Sequence, residues 1–183
     1  MSQTFETLLS LKGDTSPAEP VIFNFSKPED ESEVRKLLES GKIQVTIDDY
    51  EEQCLELYGV KNASKVYTQT FKEEFRAYYE NLKVSKPLYQ DGNWVYFPWS
   101  SKLVHILSED DFQLVRTARN KNLISAEEQE KFYNTTVGIG GLSIGSSVAF
   151  LLTLQGGAKH IKLADMDRLA LSNTNRILMG VDN

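Results

Sequence analysis

The chain has one cysteine, no concentration of basic residues and no long apolar run, and each shortage excludes a class of protein. With Cys54 alone, neither an intramolecular disulfide nor a Cys-x-x-Cys metal site can form. A net charge of −6 argues against a nucleic-acid-binding surface. The first twenty residues lack a basic start and a continuous apolar core, which excludes a signal peptide and a membrane span. We therefore expect a cytoplasmic protein that binds neither nucleic acid nor membranes.

Residues 1–107 are expected to form a small α+β region whose role the sequence does not reveal. Alternating or β-rich runs predict strands at 21–25, 43–47 and 104–107. Helical spacing predicts helices that follow Ser26 and that cover 50–58 and 70–82. Asp91-Gly92 predicts a hairpin that pairs 88–90 with 94–97.

Residues 108–183 are expected to form a second unit, although no Gly/Ser linker marks the boundary. Ser108 with Asp111 predicts the start of a helix that runs through Arg119. Ser125 with Glu128 is a standard capping box and predicts another helix start. Structural roles are favoured for His105, His160 and Cys54, and hairpin packing for the aromatic residues of 94–99.

The last fifty residues have the pattern of a nucleotide-binding strand, turn and helix. The segment Thr136-Val-Gly-Ile-Gly-Gly-Leu-Ser-Ile-Gly145 precedes a helix predicted from about Ile144 to Leu154, and the next strand, His160 to Ala164, ends in Asp165. Glycines let the chain turn so that helix N–H groups face a phosphate, and the acid suits a ribose hydroxyl. The fold predicted is α/β, the N-terminal half of a Rossmann-like parallel sheet, truncated. Three apolar residues are expected to pack the helix on this sheet: Val148, Leu151 and Leu152.

Each of two alignments of the glycine motif lacks one glycine. Gly138-x-Gly140-x-x-Ser143 has a serine where the helix packs on the strand, and Gly140-x-Leu142-x-x-Gly145 has a leucine where the backbone approaches phosphate. The second alignment is preferred because it gives the strand and the helix suitable lengths. Gly140, Gly141 and Gly145 are then the predicted cofactor-binding glycines.

From about Gln129 to Arg176 the chain resembles the ThiF/MoeB/HesA family, relatives of the ubiquitin-activating enzymes. The family pattern is a Gln-Glu-Arg-Leu-x-Asn segment, a glycine turn, a strand ending in Asp-x-Asp and then Ser-Asn-Leu-x-Arg. Three segments resemble it in order: Gln129-Glu-Lys-Phe-Tyr-Asn134, Asp165-Met-Asp167 and Ser172-Asn-Thr-Asn-Arg176. Family members bind ATP and Mg²⁺ and adenylylate the C-terminal glycine carboxylate of a ubiquitin-like protein or a small peptide.

The resemblance implies a role for several residues. Asp165 would hold the ATP ribose, while Asn173 and Arg176 would contact the phosphates, a task for which a guanidinium is suited. Asp167 is either part of this cofactor site or a turn residue. Arg116-Thr-Ala-Arg119 is similar to the family's Arg-Tyr-x-Arg element, from which Arg119 would reach the ATP of a neighbouring subunit, so a homodimer is also implied. Arg119 and Arg176 are therefore the predicted catalytic residues.

The family's further lysine, its metal-binding aspartate and its zinc or catalytic cysteines would lie beyond Asn183. No metal ligand is therefore predicted in this chain, and the Mg²⁺ ligands are expected downstream. Because two parallel strands and one helix cannot bury such a sheet, we expect a truncated piece of a longer protein, inactive alone and at most weakly ATP-binding. The long N-terminal region is similar to that of a bacterial subgroup in which a nitroreductase-like domain can follow.

Two other functions fit parts of the same pattern. A NAD- or FAD-binding oxidoreductase domain would explain the strand, the glycine turn and Asp165, but it gives Asn173 and Arg176 no task. A non-catalytic interaction module that kept the fold would explain the missing glycine. In the plainest interpretation, Asp165 caps a strand end, and Asn173 and Arg176 form a surface network.

Overall fold

The computed structural model describes residues 19–177 and, before them, Thr4, Glu6 and Thr7. It is a mixed α/β structure with parallel and antiparallel strands. Between residues 19 and 177 the strands are β1 (Val21–Phe23), β2 (Val45–Asp48), β3 (Asn93–Phe97), β4 (Lys102–Ile106), β5 (Thr136–Gly140) and β6 (His160–Ala164). The α-helices are α1 (Pro28–Glu39), α2 (Tyr50–Lys61), α3 (Phe71–Ser85), α4 (Glu109–Arg116), α5 (Ala126–Tyr133) and α6 (Leu142–Leu154). In this part of the chain, no helix has the length and apolar character needed to cross a membrane.

The first four strands form one mixed sheet in the order β1-β3-β4-β2. β3 pairs antiparallel with β1 and with β4, whereas β2 and β4 are parallel. Alternate side chains of a strand point to the same face, so Trp94 and Tyr96 of β3 lie on one face together with Leu103 and His105 of β4. The small α+β region that the sequence predicts is therefore organised around this sheet.

Two clusters of buried residues stabilise this region. The first consists of Phe23, Val34, Ile43, Trp94, Tyr96 and Leu103. The second consists of Tyr50, Cys54, Leu57, Phe75, Tyr79 and Leu107. His105 joins the clusters because its ring stacks on Trp94 of the first and on Tyr50 of the second. The structural roles predicted for Cys54 and His105 are confirmed, as is the packing role of Trp94 and Tyr96, whereas Trp99 is largely exposed.

The hairpin predicted at Asp91-Gly92 is wrong. Residues 88–90 form a short 3₁₀ helix, and β3 makes its hairpin with β4 through a turn at 98–100. Gly92 has a φ of 66°, and a Cβ there would lie 2.2 Å from the Ile106 carbonyl oxygen. This close approach of two backbones requires glycine at position 92. An Asp-Gly pair is also typical of hairpin turns, which is why the sequence pattern predicted one.

β5 and β6 form a second, parallel sheet, with Thr136 opposite His160 and Gly140 opposite Ala164. Since α6 connects them, the predicted strand, turn, helix and strand are confirmed. The Ser125 capping box also forms: the Ser125 hydroxyl accepts from the Glu128 amide, and the Glu128 carboxylate accepts from the Ser125 amide.

Two details of the second unit differ from the prediction. α4 ends at Arg116, before Arg119. The Thr117 amide still bonds to the Gln113 carbonyl four residues back, but the next amides, of Ala118 and Asn120, bond to carbonyls only three residues back. Val148 and Leu151 are about half exposed and do not pack as predicted, since a sheet of two strands is too narrow to cover the sides of α6. Leu152 is partly buried.

Candidate functional site

The turn between β5 and α6 depends on two glycines. Gly141 has a φ of 82°, a conformation that favours glycine, and its amide donates to the Ala164 carbonyl at the end of β6. A Cβ on Gly145 would lie 2.6 Å from Cγ2 of Ile139, so the helix packs closely on its preceding strand only because this residue is glycine. Gly140 has a negative φ and open space around it, so its glycine is not required by packing. The preferred alignment thus has its last glycine in the expected packing role.

The Asp165 carboxylate lies against the first turn of α6. Its Oδ2 accepts a hydrogen bond from the Leu142 amide at 2.6 Å, and its Oδ1 accepts from the Asp167 amide at 2.9 Å. The first amides of a helix have no carbonyl partner within the helix, so an anion is favourable there. The bond from Asp167, followed by that from Leu142, holds the pKa of Asp165 below its ordinary value. The side chain is therefore an exposed, ionised carboxylate whose position is fixed by two backbone amides.

Arg176 lies beside the same helix turn. Its Nε donates to the Ser143 hydroxyl at 2.6 Å, and its Nη1 donates to Asn175 Oδ1 at 2.9 Å and more weakly to the Ser172 carbonyl at 3.4 Å. The side chain belongs to an exposed residue. These contacts place a permanent cation next to the amides of the α6 N-terminus.

Asn173 and Asp167 shape the segment that follows β6. Asn173 Oδ1 accepts from the Ala170 amide at 2.7 Å, so the side chain caps the short 3₁₀ helix at 171–173. Its Nδ2 group has no hydrogen-bond partner within the described residues. The Asp167 amide is used by Asp165, which agrees with a turn role, while its side chain lines the pocket described next.

These residues share one open pocket of about 710 Å³ between α6, β6 and the segment after β6. Its polar lining comes from Ser143, Ser146, Thr153, Asp165, Asp167, Arg168, Asn173 and Arg176. Ile161 and Leu163 provide an apolar wall from β6, and Phe150 contributes from α6. The pocket therefore combines an apolar surface with charges of both signs near a helix N-terminus.

Sequence reasoning missed four polar residues of this pocket, among them Ser143 and Arg168; the others are Ser146 and Thr153. In the sequence, Ser143 is the position at which one alignment of the glycine motif lacks its last glycine. That pattern indicates a degraded motif and does not indicate a role for the serine. Arg168 follows the Asp-x-Asp segment directly and had no motif to mark it.

Arg119 does not reach this pocket within one chain. It is exposed and precedes the short 3₁₀ helix at 120–122, whose Asn120 donates to the Gln155 carbonyl at the far end of α6. The prediction that Arg119 acts on a neighbouring subunit stays a prediction.

Side chains from residues 113–129 bind the C-terminal end of α6 and the turn that follows it. Gln113 Nε2 and Gln129 Nε2 both donate to the Gly156 carbonyl, at 2.9 Å and 3.0 Å. Arg116 Nη2 donates to the Thr153 carbonyl. Gln129, the first residue of the family-like Gln-Glu segment, therefore anchors the helix that begins at the glycine turn.

Across residues 19–177, together with Thr4, Glu6 and Thr7, no group of three or more His, Cys, Asp or Glu side chains is arranged to hold a metal ion. Asp165 and Asp167 are the acidic residues of the pocket.

One comparison with known proteins gives a relative. The Uncharacterized protein MT1398 of Mycobacterium tuberculosis (strain CDC 1551 / Oshkosh) is 34% identical to this chain over 145 residues. The match covers 78% of this chain, which spans about 20% of the relative's length. No protein-family model matches the chain. No solved structure matches it either.

Proposed function

We propose that residues 108–183 are the ATP-binding part of a ThiF-like enzyme that adenylylates the C-terminal carboxylate of a ubiquitin-like protein or peptide. The observation that carries the proposal is the position of the Arg176 guanidinium, 2.6 Å from Ser143 in the first turn of α6, in the pocket that also contains Asp165. A helix N-terminus with an adjacent guanidinium favours a polyphosphate.

Each group has a task in this proposal. In adenylylation a carboxylate oxygen attacks the α-phosphorus of ATP, a P–O bond forms, and pyrophosphate leaves with the electron pair of the broken P–O bond. Arg176, the first-turn amides of α6 that follow Leu142 and the Nδ2 group of Asn173 would stabilise the charge on the phosphate oxygens. Mg²⁺, when bound, would supply further charge neutralisation. Its protein ligands would come from outside this chain.

Asp165 would accept a hydrogen bond from a ribose hydroxyl. A carboxylate has about four lone-pair sites, and the bonds from Leu142 and Asp167, with a weaker one from the Met166 amide, leave one of them free. The ribose hydroxyl therefore needs no disruption of the glycine turn.

The experiment compares two arginine variants of the full-length protein. For Arg176→Ala we expect Mg-ATP affinity to fall about 10- to 100-fold, because a charge-assisted hydrogen bond contributes about 1.5–3 kcal/mol. Arg76→Ala, which removes an exposed arginine from α3, should leave the affinity unchanged. Calorimetric titration measures both, and ATP–pyrophosphate exchange in the presence of carboxylate partners measures the reaction.

Two results would contradict the proposal. Tight binding of NAD or FAD that is insensitive to Arg176→Ala, without ATP-dependent exchange, would favour an oxidoreductase domain. Absence of any nucleotide binding in the full-length protein would favour an interaction module.

A further inference from the structure

We infer that Ser143 is a positioning residue that holds Arg176 in place for the nucleotide phosphates, an inference that rests on the proposed function. Its hydroxyl accepts the Nε hydrogen of Arg176 at 2.6 Å across a separation of 33 positions in the chain. Ser143 is the second residue of α6, so the contact fixes the guanidinium next to the helix N-terminus.

Within the described residues, Nε and Nη1 of the Arg176 guanidinium are hydrogen-bonded and Nη2 is not. A guanidinium has five N–H donors. Nε is bound to Ser143, and Nη1 is bound to Asn175 and Ser172. Nη2 has no partner within the described residues, so its two N–H groups remain available to an anion.

Holding the arginine matters because a long exposed side chain loses rotamer freedom when it binds a ligand. If the side chain is already fixed before ATP arrives, that loss no longer opposes binding. Ser143 thus affects affinity through Arg176 without touching the nucleotide.

Ser143, which replaces the last glycine of one alignment of the motif, provides the hydroxyl that binds Arg176. In Gly138-x-Gly140-x-x-Ser143 the serine replaces the last glycine. Glycine has no side chain and could not accept the Arg176 hydrogen bond, whereas Gly145 already provides the close packing against Ile139. The helix packing and the arginine contact are therefore supplied by different residues.

The test uses a double-mutant cycle in the full-length protein, with Mg-ATP affinity measured by calorimetry. For Ser143→Ala we expect a loss of about 2- to 10-fold, the range for one neutral hydrogen-bond partner. Ser143→Thr retains the hydroxyl and should stay close to the wild-type affinity. Ser147→Ala, on an exposed position of the same helix outside the pocket, should have no effect. In an Arg176→Ala background, Ser143→Ala should cause no further loss.

A second measurement does not depend on nucleotide binding. The rate at which phenylglyoxal modifies Arg176, followed by peptide mass spectrometry, should rise in Ser143→Ala and stay unchanged in Ser147→Ala and Ser143→Thr. If Arg176→Ala weakens Mg-ATP binding but Ser143→Ala changes neither affinity nor modification rate, the inference is wrong and the proposed function stands. Additive losses in the double mutant would also overturn it. If wild-type protein fails to bind Mg-ATP, the proposed function is wrong, and the modification rates still decide whether Ser143 holds Arg176.

Discussion

The imidazole of His105, only 1% exposed, contacts two separate parts of the chain, around Tyr50 and around Trp94. Its ring lies between Tyr50 and Trp94, with centroid distances of 4.0 Å and 4.3 Å. Nδ1 is 2.9 Å from Asp48 Oδ1, and Nε2 is 2.7 Å from the Asp91 carbonyl oxygen. Burial of a polar ring is unfavourable unless both nitrogens find partners, and here both do.

Replacement of this histidine should destabilise the fold. His105→Phe keeps an aromatic ring between Tyr50 and Trp94 but removes both nitrogens, leaving the Asp91 carbonyl without its hydrogen-bond partner. We expect a loss of about 2–4 kcal/mol in the free energy of unfolding, measured by urea denaturation. His160→Phe, at an exposed position that begins β6, should change it by less than about 0.5 kcal/mol. Equal stability of the two variants would contradict the role assigned to the ring nitrogens.

The sequence predicted a structural His105 from its apolar strand but could not identify its partners. Asp48 is 57 positions away and Asp91 is 14 positions away. Such contacts depend on the parallel pairing of β2 with β4, which no local pattern encodes. The contact between Ser143 and Arg176 joins residues 33 positions apart, and no local pattern predicts it either.

At the scale of elements, the close packing of α6 on β5 depends on Gly145, which has no Cβ. Gly145→Ala would place a Cβ 2.6 Å from Cγ2 of Ile139 and push the helix away from the strand. We expect a loss of about 1–3 kcal/mol in the free energy of unfolding, typical of overpacking, and weaker Mg-ATP binding because the first helix turn moves.

Gly138→Ala is the matched control, since Gly138 lies in β5 with no heavy atom within 4 Å of the added Cβ. Its stability should equal the wild type or exceed it by up to about 1 kcal/mol. Thermal and urea denaturation measure both variants. A Gly145→Ala protein as stable as Gly138→Ala would refute the packing role of Gly145.

The elements of the glycine-turn unit were predictable because their signals are local. The capping box at Ser125, the glycines before α6 and the spacing to Asp165 all act within one strand–helix–strand unit. The hairpin at Asp91-Gly92 was not predictable in this way, because an Asp-Gly pair also suits the close approach of Gly92 to Ile106. Whether an Asp-Gly pair forms a hairpin turn or a close backbone contact depends on segments that are distant in the sequence, here the one that contains Ile106.

At the scale of the whole molecule, the buried core should make the protein sensitive to high pH. Burial is the largest cause that raises the pKa of Cys54 from 9.0 to about 11 and that of Tyr79 from 10.0 to about 12. Both groups are stable in the fold only when neutral. The unfolded chain loses these protons first, so the stabilisation is complete below about pH 9 and is lost as the pH rises toward 11 and 12.

The midpoint of urea denaturation should therefore fall steadily between about pH 9 and pH 11. Cys54→Ala removes the thiol and should give a shallower fall over this interval, although its stability at pH 8 will be lower because a buried side chain has been shortened. A wild-type midpoint that is constant from pH 8 to pH 11 would exclude this effect.

The packing of α6 against its sheet could not be predicted from the sequence. The sequence predicted that Val148 and Leu151 face the sheet, and both are about half exposed. A helical period identifies the apolar side of α6, but it does not tell how many strands are available to cover it.

The side chains that bind the C-terminal end of α6 and the turn after it have a practical consequence for work on fragments of the protein. Gln113, Arg116 and Gln129 lie before β5 in the chain, yet they satisfy carbonyl groups that follow Leu152. A fragment that starts at β5 would contain the whole strand, turn, helix and strand motif, but it would leave those carbonyls without their donors. Expression boundaries for the unit of β5, α6 and β6 should therefore be placed before Glu109, so that the cloned segment includes the side chains that bind the end of α6.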